Sequence, residues 1–209
     1  MKYWILLFGL LLSELAYAEP SPPINQAAAE IPHNQNLAVV DYFSNGQQTG
    51  CGLRATGETK DDLWLNVLIT VFRKETGATF GVIKVVARKA NMKDGAPVLQ
   101  DGKITFSDLG KIQRAWIKSD SGKEAFVYKN GESSHSDAYM VNTEFASTVD
   151  LLVAVSQENF KVGLNRNEYG PDQVFQFDKR PNQDEAGKFS ACMSNLRAAI
   201  VETGSKESF

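Results

Sequence analysis

The sequence predicts a mainly β protein: a single antiparallel β-sandwich or partly open barrel with a C-terminal amphipathic helix. Three observations support this fold class. Short runs rich in β-branched and aromatic residues recur between residues 37 and 177. Turn signals such as Ser44-Asn45-Gly46-Gln47 separate these runs, as is typical of hairpins between antiparallel strands. After residue 188 the apolar spacing changes to the period of a helix.

The predicted strands follow one another along the chain with short connections. The segment 63–73 is apolar on both faces, which indicates a strand covered on both sides. The segment 148–156 is included because its apolar side chains alternate from Val149 to Val155. The full set of predicted strands is 37–43, 49–56, 63–73, 79–88, 103–106, 112–118, 124–129, 138–141, 148–156, 160–165 and 174–177.

The closing helix is predicted over about residues 184–202. Asn182 with Glu185 three residues later resembles a capping box, and Gly204 is placed to end the helix. Its apolar face contains Phe189, Cys192, Met193, Leu196, Ala199 and Ile200.

The N-terminus has the features of an export signal. Lys2 precedes an apolar run over residues 3–12, and Ala16-Tyr17-Ala18 matches the small-x-small site of a signal peptidase. The run is shorter than the ~20 residues that a spanning helix needs. We therefore expect a signal peptide over residues 1–18, cleavage near Ala18, and a periplasmic or secreted protein.

The rest of the chain divides into three predicted parts. Residues 19–36 contain four prolines and no apolar period, which predicts a flexible leader. Residues 37–204 form one β-sandwich domain with its closing helix, and residues 205–209 form a tail.

The charge is mildly acidic and unevenly distributed. The net charge of -3 argues against a dedicated nucleic-acid binder or a polybasic membrane binder. Residues 60–130 nevertheless hold 13 Lys/Arg against 8 Asp/Glu. These cations either protect exposed strands from aggregation or form a basic face for a glycan, a phospholipid head group or an acidic protein. We prefer the first explanation because the segment has no dense basic run.

The two cysteines, Cys51 and Cys192, are expected to form a structural disulfide in an exported protein. The alternatives are two free buried thiols or a metal site. The histidines, His33 and His135, have no metal-ligand spacing, so no metal site is predicted. Without a phosphate-binding loop, a dinucleotide fingerprint or a calcium loop, no cofactor is predicted either.

Catalytic patterns are weak, and no catalytic residue is predicted. Asp61-Asp62 and Asp184-Glu185 are sequence neighbours, and neighbours on a strand point to opposite faces. Ser, His and Asp occur together within residues 132–137, but a hydrolase triad normally combines separated segments. An acid pair assembled from distant strands stays possible, so an enzyme is disfavoured rather than excluded.

Five residues are candidates for binding. Arg114, Trp116 and Lys118 share one strand face, and an outward Trp between cations would suit a sugar or an anionic lipid. An inward Trp in the core is the preferred alternative. Arg166 and Tyr169 lie in a polar loop over residues 165–171, at an expected end of the sandwich.

The stretch from Phe175 through Cys192 to Leu196 is similar to small exported β-sandwich proteins of Gram-negative bacteria, such as the invasion-associated locus B family. In those proteins the last cysteine lies on a terminal helix. The similarity covers about a tenth of the chain, and no family is assigned from it.

The sequence thus favours an exported, non-enzymatic binding or accessory protein of the bacterial envelope, with a secretion or virulence system as one setting. Its expected partner is an envelope or secreted protein, without nucleic acid and without a stable membrane anchor. Two alternatives stay open: an envelope-polymer hydrolase with strand-borne carboxylates, and a periplasmic carrier of an apolar ligand. A flat apolar patch or an exposed edge strand would favour the binding protein, a carboxylate-lined groove the hydrolase, and a large internal void the carrier. The oligomeric state is not predicted.

Overall fold

The computed structural model describes residues 28–127, 136–167 and 170–204. Its fold is mainly β, with two antiparallel sheets in a sandwich-like arrangement and a C-terminal helix, as predicted. The expected signal peptide and the tail lie outside the described residues. The first strand begins at His33, so the last residues of the expected leader belong to the sheet.

The first sheet has five strands in the order β1-β2-β3-β4-β11, all antiparallel. The second has four strands in the order β10-β9-β12-β13. Two small hairpins, β5-β6 and β7-β8, lie between β4 and β9 in the chain. The strands are β1 (His33–Ser44), β2 (Gln47–Glu58), β3 (Leu63–Arg73), β4 (Thr79–Lys89), β5 (Met92–Lys93), β6 (Ala96–Pro97), β7 (Leu99–Gln100), β8 (Lys103–Ile104), β9 (Arg114–Ser119), β10 (Glu124–Val127), β11 (Ala138–Thr143), β12 (Phe160–Asn165) and β13 (Gln173–Phe177).

The segment predicted as a strand over residues 148–156 is instead helix α1 (Phe145–Gln157). Buried Thr148, Leu151 and Val155 fall at helical spacing, whereas Val153 is exposed. The Thr148 hydroxyl donates to the Glu144 carbonyl at 2.7 Å and lies 2.6 Å from the Thr143 hydroxyl. Alternating valines and leucines fit either period, and packing of α1 on β3 and β4 decides for the helix.

The docking of α1 requires a glycine in the facing strand. A Cβ at Gly81 of β4 would lie 2.0 Å from the Thr148 hydroxyl oxygen. Since real Cβ atoms do not approach that closely, only glycine lets Thr148 reach the strand. Gly81 thus fixes where α1 meets the first sheet.

The closing helix, α2 (Gln183–Gly204), begins and ends close to the predicted limits. The Asn182 side-chain oxygen accepts a hydrogen bond from the Glu185 N–H at 2.9 Å, which is one half of a capping box. The Glu185 carboxylate turns elsewhere and accepts the N–H of Val39 in β1 at 2.7 Å. Within the described residues, neither α1 nor α2 is long and apolar enough to cross a membrane.

The predicted disulfide between Cys51 and Cys192 is confirmed. It joins β2 to α2 across a sequence separation of 141 residues, with a Cα–Cα distance of 5.8 Å. The amide nitrogen of Gln48 donates to the Cys192 carbonyl at 3.1 Å beside it. The bond therefore holds the closing helix against the first sheet.

A single core fills the space between the two sheets and the two helices. The facing strands supply alternate side chains, as a sandwich requires. Its largest fully buried members are Phe160, Phe177, Leu53, Leu65, Ile69, Ile83, Ile112, Ile117, Leu151, Leu152, Leu164 and Leu196.

Candidate functional site

The five-stranded sheet turns one face to the core, and we call the opposite one the outer face. In the described part of the chain, the second sheet and both helices contribute to the core side. Strand register aligns the outer-face residues in three neighbouring rows across the sheet. The rows are Tyr42, Gly50, Phe72 and Phe80; then Val40, Gly52, Thr70, Val82 and Asn142; then Ala38, Arg54, Leu68, Lys84 and Met140.

The first row is aromatic. The ring centroids of Tyr42 and Phe72 are 4.8 Å apart, and those of Phe72 and Phe80 are 5.5 Å apart in a stacked arrangement. The Lys74 ammonium lies 5.4 Å from the Phe80 centroid, a cation–π contact. A Cβ at Gly50 would come within 2.6 Å of the Phe72 ring. The Phe72 ring therefore lies over the glycine backbone, at a place that a larger residue at position 50 would occupy.

At the centre of the second row, a side chain of β3 again lies over a glycine of β2. Thr70 is fully buried although it lies on the outer face, and a Cβ at Gly52 would come within 2.6 Å of its hydroxyl oxygen. Among the residues that the structure describes, this hydroxyl has no hydrogen-bond partner. The two glycines of β2 thus let the side chains of β3 lean over β2, and a continuous, mainly apolar surface results.

The third row adds positive charge. Arg54 is exposed and Lys84 is half-buried, and both stand next to Leu68 in the register. Neither is in an ion pair within the described ranges. The three rows contain no carboxylate side chain. The three rows therefore combine aromatic, aliphatic and cationic groups without a carboxylate among them.

The sequence contains one signal for this face, namely the second apolar side of β3, with Trp64, Leu68 and Phe72. The sequence analysis predicts that this side is covered. In the structure Trp64 is 39 % exposed and the other two are half-buried. These residues mark the surface left over after the core is complete.

Two of the predicted binding residues, Arg114 and Trp116, meet at Asp172, on the second sheet. The Arg114 guanidinium forms an ion pair with the Asp172 carboxylate, and the Trp116 indole N–H donates to it at 2.7 Å. The Asn165 amide donates to the same carboxylate at 3.0 Å and to the Gly170 carbonyl at 2.6 Å. Sequence reasoning missed Asp172 and Asn165. They come together because β12 ends at Asn165 and pairs with β13, which begins directly after Asp172.

Burial tends to raise the pKa of Asp172, since it disfavours the charged form. The hydrogen bonds from Arg114, Asn165 and Trp116, together with the charge of Arg114, outweigh burial and hold the pKa below its ordinary value. The carboxylate is therefore ionised at neutral pH and serves as the centre of a structural network.

Trp116 is only 2 % exposed, although it lies on the side of the second sheet away from the core. A Cβ at Gly163 of the neighbouring strand would lie 2.0 Å from the indole ring. The ring therefore lies flat over Gly163, and its N–H is used by Asp172. Trp116 therefore matches neither sequence-based alternative: it is not an exposed binding residue, and it is not part of the core between the sheets.

The other predicted binding residues are separated from one another. Lys118 pairs with Glu124 of β10 at 3.3 Å. Arg166 donates to the carbonyls of Gly110 and Ala87, which ties its loop to the end of β4. Burial lowers the pKa of Arg166, against the charges of Asp137 and Asp108. Tyr169, like His135, lies outside the described residues.

Two of the described clefts bear on the hydrolase hypothesis, because each is lined by two acidic residues: Asp150 and Glu158 in one, Glu30 and Asp61 in the other. The second has a volume of about 220 Å³ and is also lined by Lys89 and Arg166. Glu30 accepts the N–H of Lys60 at 2.8 Å, so this carboxylate already has a structural role. Across the described ranges, no group of three or more His, Cys, Asp and Glu side chains could hold a metal ion. The hydrolase and carrier hypotheses stay predictions.

Asp184 and Glu185, the second pair of neighbouring acids in the sequence, lie in the first turn of α2, where carboxylates interact favourably with the helix dipole. Hydrogen bonds from Lys188 and from the Val39 N–H lower the pKa of Glu185. This pair is therefore part of the helix start and its contact with β1.

Comparison with known proteins does not identify the chain. The similarity noted for residues 175–196 is not supported by a family match. No protein-family model, no curated protein and no solved structure matches this chain.

Proposed function

We propose that this protein is an exported, non-enzymatic binding module of the bacterial envelope, and that the outer face binds an acidic protein. The observation that carries the proposal is the set of three neighbouring rows on the outer face, which hold mainly apolar side chains, two cations and no carboxylate. Contiguous apolar surface on a folded domain marks an interaction site more often than isolated apolar residues do.

The composition of the face supports a protein partner. Aromatic residues, Met and Arg are enriched in protein interfaces, and the three rows supply Tyr42, Phe72, Phe80, Met140 and Arg54. Two cations without a local counter-charge favour a partner with carboxylates around an apolar centre, because complementary charge directs association and excludes wrong partners.

Site-specific photocrosslinking tests this proposal in cells that produce the protein naturally. A photoreactive amino acid at Leu68 is expected to crosslink one acidic protein, whereas the same group at Lys161 on the second sheet should not. The double variant Arg54→Glu/Lys84→Glu should reduce the Leu68 crosslink by about tenfold, because it places like charges against the partner.

The matched control reverses charge elsewhere: Lys118→Glu/Lys161→Glu should leave the Leu68 crosslink unchanged. The proposal fails if Leu68 yields no protein adduct, if Lys161 yields the same adduct, or if both double variants weaken it equally. Thermal midpoints of all variants, measured in parallel, separate lost binding from lost folding.

The export component has its own test. Mass spectrometry of the protein recovered from the periplasm should give an N-terminus at Glu19, because Ala16-Tyr17-Ala18 fits the peptidase site. Recovery of a chain that still begins at Met1 would contradict export by this route.

A further inference from the structure

Large apolar side chains are exposed in one short stretch after β4. The described chain leaves ten such side chains exposed, and four of them lie between residues 92 and 106. They are Met92 at 50 %, Leu99 at 59 %, Ile104 at 46 % and Phe106 at 41 %. We call residues 90–106 the arm. A density of exposed apolar groups this high indicates an interaction surface.

The arm is well ordered by its own hydrogen bonds. Asn91, Val98 and Thr105 form a closed ring of backbone bonds, in which each N–H donates to the carbonyl of another member at 2.7 to 3.0 Å. The two hairpins β5-β6 and β7-β8 diverge from this ring. Their turns, Asp94-Gly95 and Asp101-Gly102, all have positive φ, which is the conformation of a two-residue type I′ hairpin turn.

Each hairpin presents one apolar pair. Met92 faces Pro97, and Leu99 faces Ile104; directly opposite residues lie on the same side of a hairpin. All four are exposed. At the base of the arm, the Arg88 guanidinium lies 5.1 Å from the Phe106 centroid and forms an ion pair with Asp137. Each hairpin of the arm thus carries one exposed apolar pair, which lies one residue pair back from its Asp-Gly turn.

One lysine neighbours each apolar pair. Lys93 follows Met92 directly, and Lys103 precedes Ile104. Between residues 88 and 111 the chain holds five Lys/Arg against three Asp. Two of those aspartates, Asp94 and Asp101, occupy the left-handed turn positions, so turn geometry accounts for them.

We infer that the arm places the apolar pairs of its two hairpins in the surface of an anionic lipid bilayer. Apolar groups enter the boundary between head groups and acyl chains, while lysine stems keep their ammonium groups at the head-group level. Juxtaposed cations add attraction to anionic lipids. A protein interface fits less well, because lysine is depleted from the cores of such interfaces. This surface is separate from the three rows proposed to bind a protein.

Vesicle co-sedimentation tests the inference with the chain starting at Glu19, which lacks the apolar run over residues 3–12. The chain should sediment with vesicles of phosphatidylethanolamine and phosphatidylglycerol and much less with phosphatidylcholine vesicles. Added salt should weaken the binding. The variant Leu99→Ser/Ile104→Ser should lower the partition coefficient by about tenfold, because two exposed aliphatic side chains no longer enter the bilayer.

The matched control is Phe43→Ser/Val153→Ser, which removes two equally exposed apolar side chains away from the arm and should bind normally. The variant Lys93→Glu/Lys103→Glu leaves the apolar pairs intact and should lose the preference for anionic vesicles. Failure of the unaltered chain to bind either vesicle, or equal loss in the control, overturns the inference. It is also overturned if the arm variants instead dissociate a dimer in size-exclusion chromatography, since the occupant is then a second copy.

Discussion

Replacing Cys51 and Cys192 by serine is expected to lower the free energy of unfolding by about 4 kcal/mol. The bond closes a loop with a sequence separation of 141 residues, and the chain-entropy relation gives about 5 kcal/mol for that length. For a domain of this size, the thermal midpoint should fall by roughly 10 °C in non-reducing buffer. The single variant Cys51→Ser should show a similar loss.

The loss should be concentrated at the closing helix. Helix α2 meets the first sheet through β1 and β2, and Cys192 lies between Phe189 and Leu196 on its buried side. Amide exchange in the double variant should therefore rise most in α2 and least in the central strand β3.

Reductant provides the matched control. It should lower the midpoint of the unaltered protein to that of the double variant and leave the variant unchanged. A midpoint that neither reductant nor the substitutions alter would show that the disulfide contributes nothing to stability.

Most strands could be predicted from sequence because the signals are local. Asn45-Gly46 forms the turn between β1 and β2, and both residues have positive φ. The closing helix was recognisable from its apolar period. Helix α1 was not, because Val149 to Val155 alternate as a strand does, and only tertiary contacts such as Thr148 against Gly81 select the helix.

The candidate surfaces were harder to predict, for a physical reason. The nearly continuous apolar run of β3 shows that both faces of this strand are apolar. Which of the two faces becomes covered depends on the elements that pack there. The position of Trp116 depends on Gly163 and Asp172, which come from two other strand regions of the second sheet. Such pairings are set by strand register, and a single sequence does not specify register between distant strands.

The arm and the outer face are two exposed apolar surfaces that differ in shape. Both consist of apolar residues that a pattern assigns to the interior and that the fold leaves outside. On the outer face, Gly50 and Gly52 let the side chains of Phe72 and Thr70 lie over β2, and the apolar surface continues across several strands. On the arm, tight turns lift small apolar pairs away from the domain. Their shapes therefore suit different ligands: a broad partner surface and a soft bilayer.

The second large effect is expected for Asp172→Ala, at about 3 kcal/mol of unfolding free energy. Asp172 and Trp116 are almost fully buried, and Asn165 is buried beside them. Removal of the carboxylate leaves the Arg114 charge, the indole N–H and one amide hydrogen without this acceptor, and unmade buried hydrogen bonds are costly. Asp150→Ala, which breaks the exposed Lys123–Asp150 pair, should cost at most about 1 kcal/mol and is the matched control.

The pH dependence gives this prediction its sign. Because the pKa of Asp172 is lowered in the folded state, its stabilising contribution is fully present above the ordinary carboxyl pKa of about 3.9. It declines as the pH falls through that value towards the folded-state pKa, since protonation removes the charge that the donors stabilise. Urea unfolding should therefore show a difference between the unaltered protein and Asp172→Ala that is largest near neutral pH and smaller at acidic pH. A difference that is constant with pH would assign the loss to packing alone. A difference that grows on acidification would contradict an ionised Asp172 at the centre of the network.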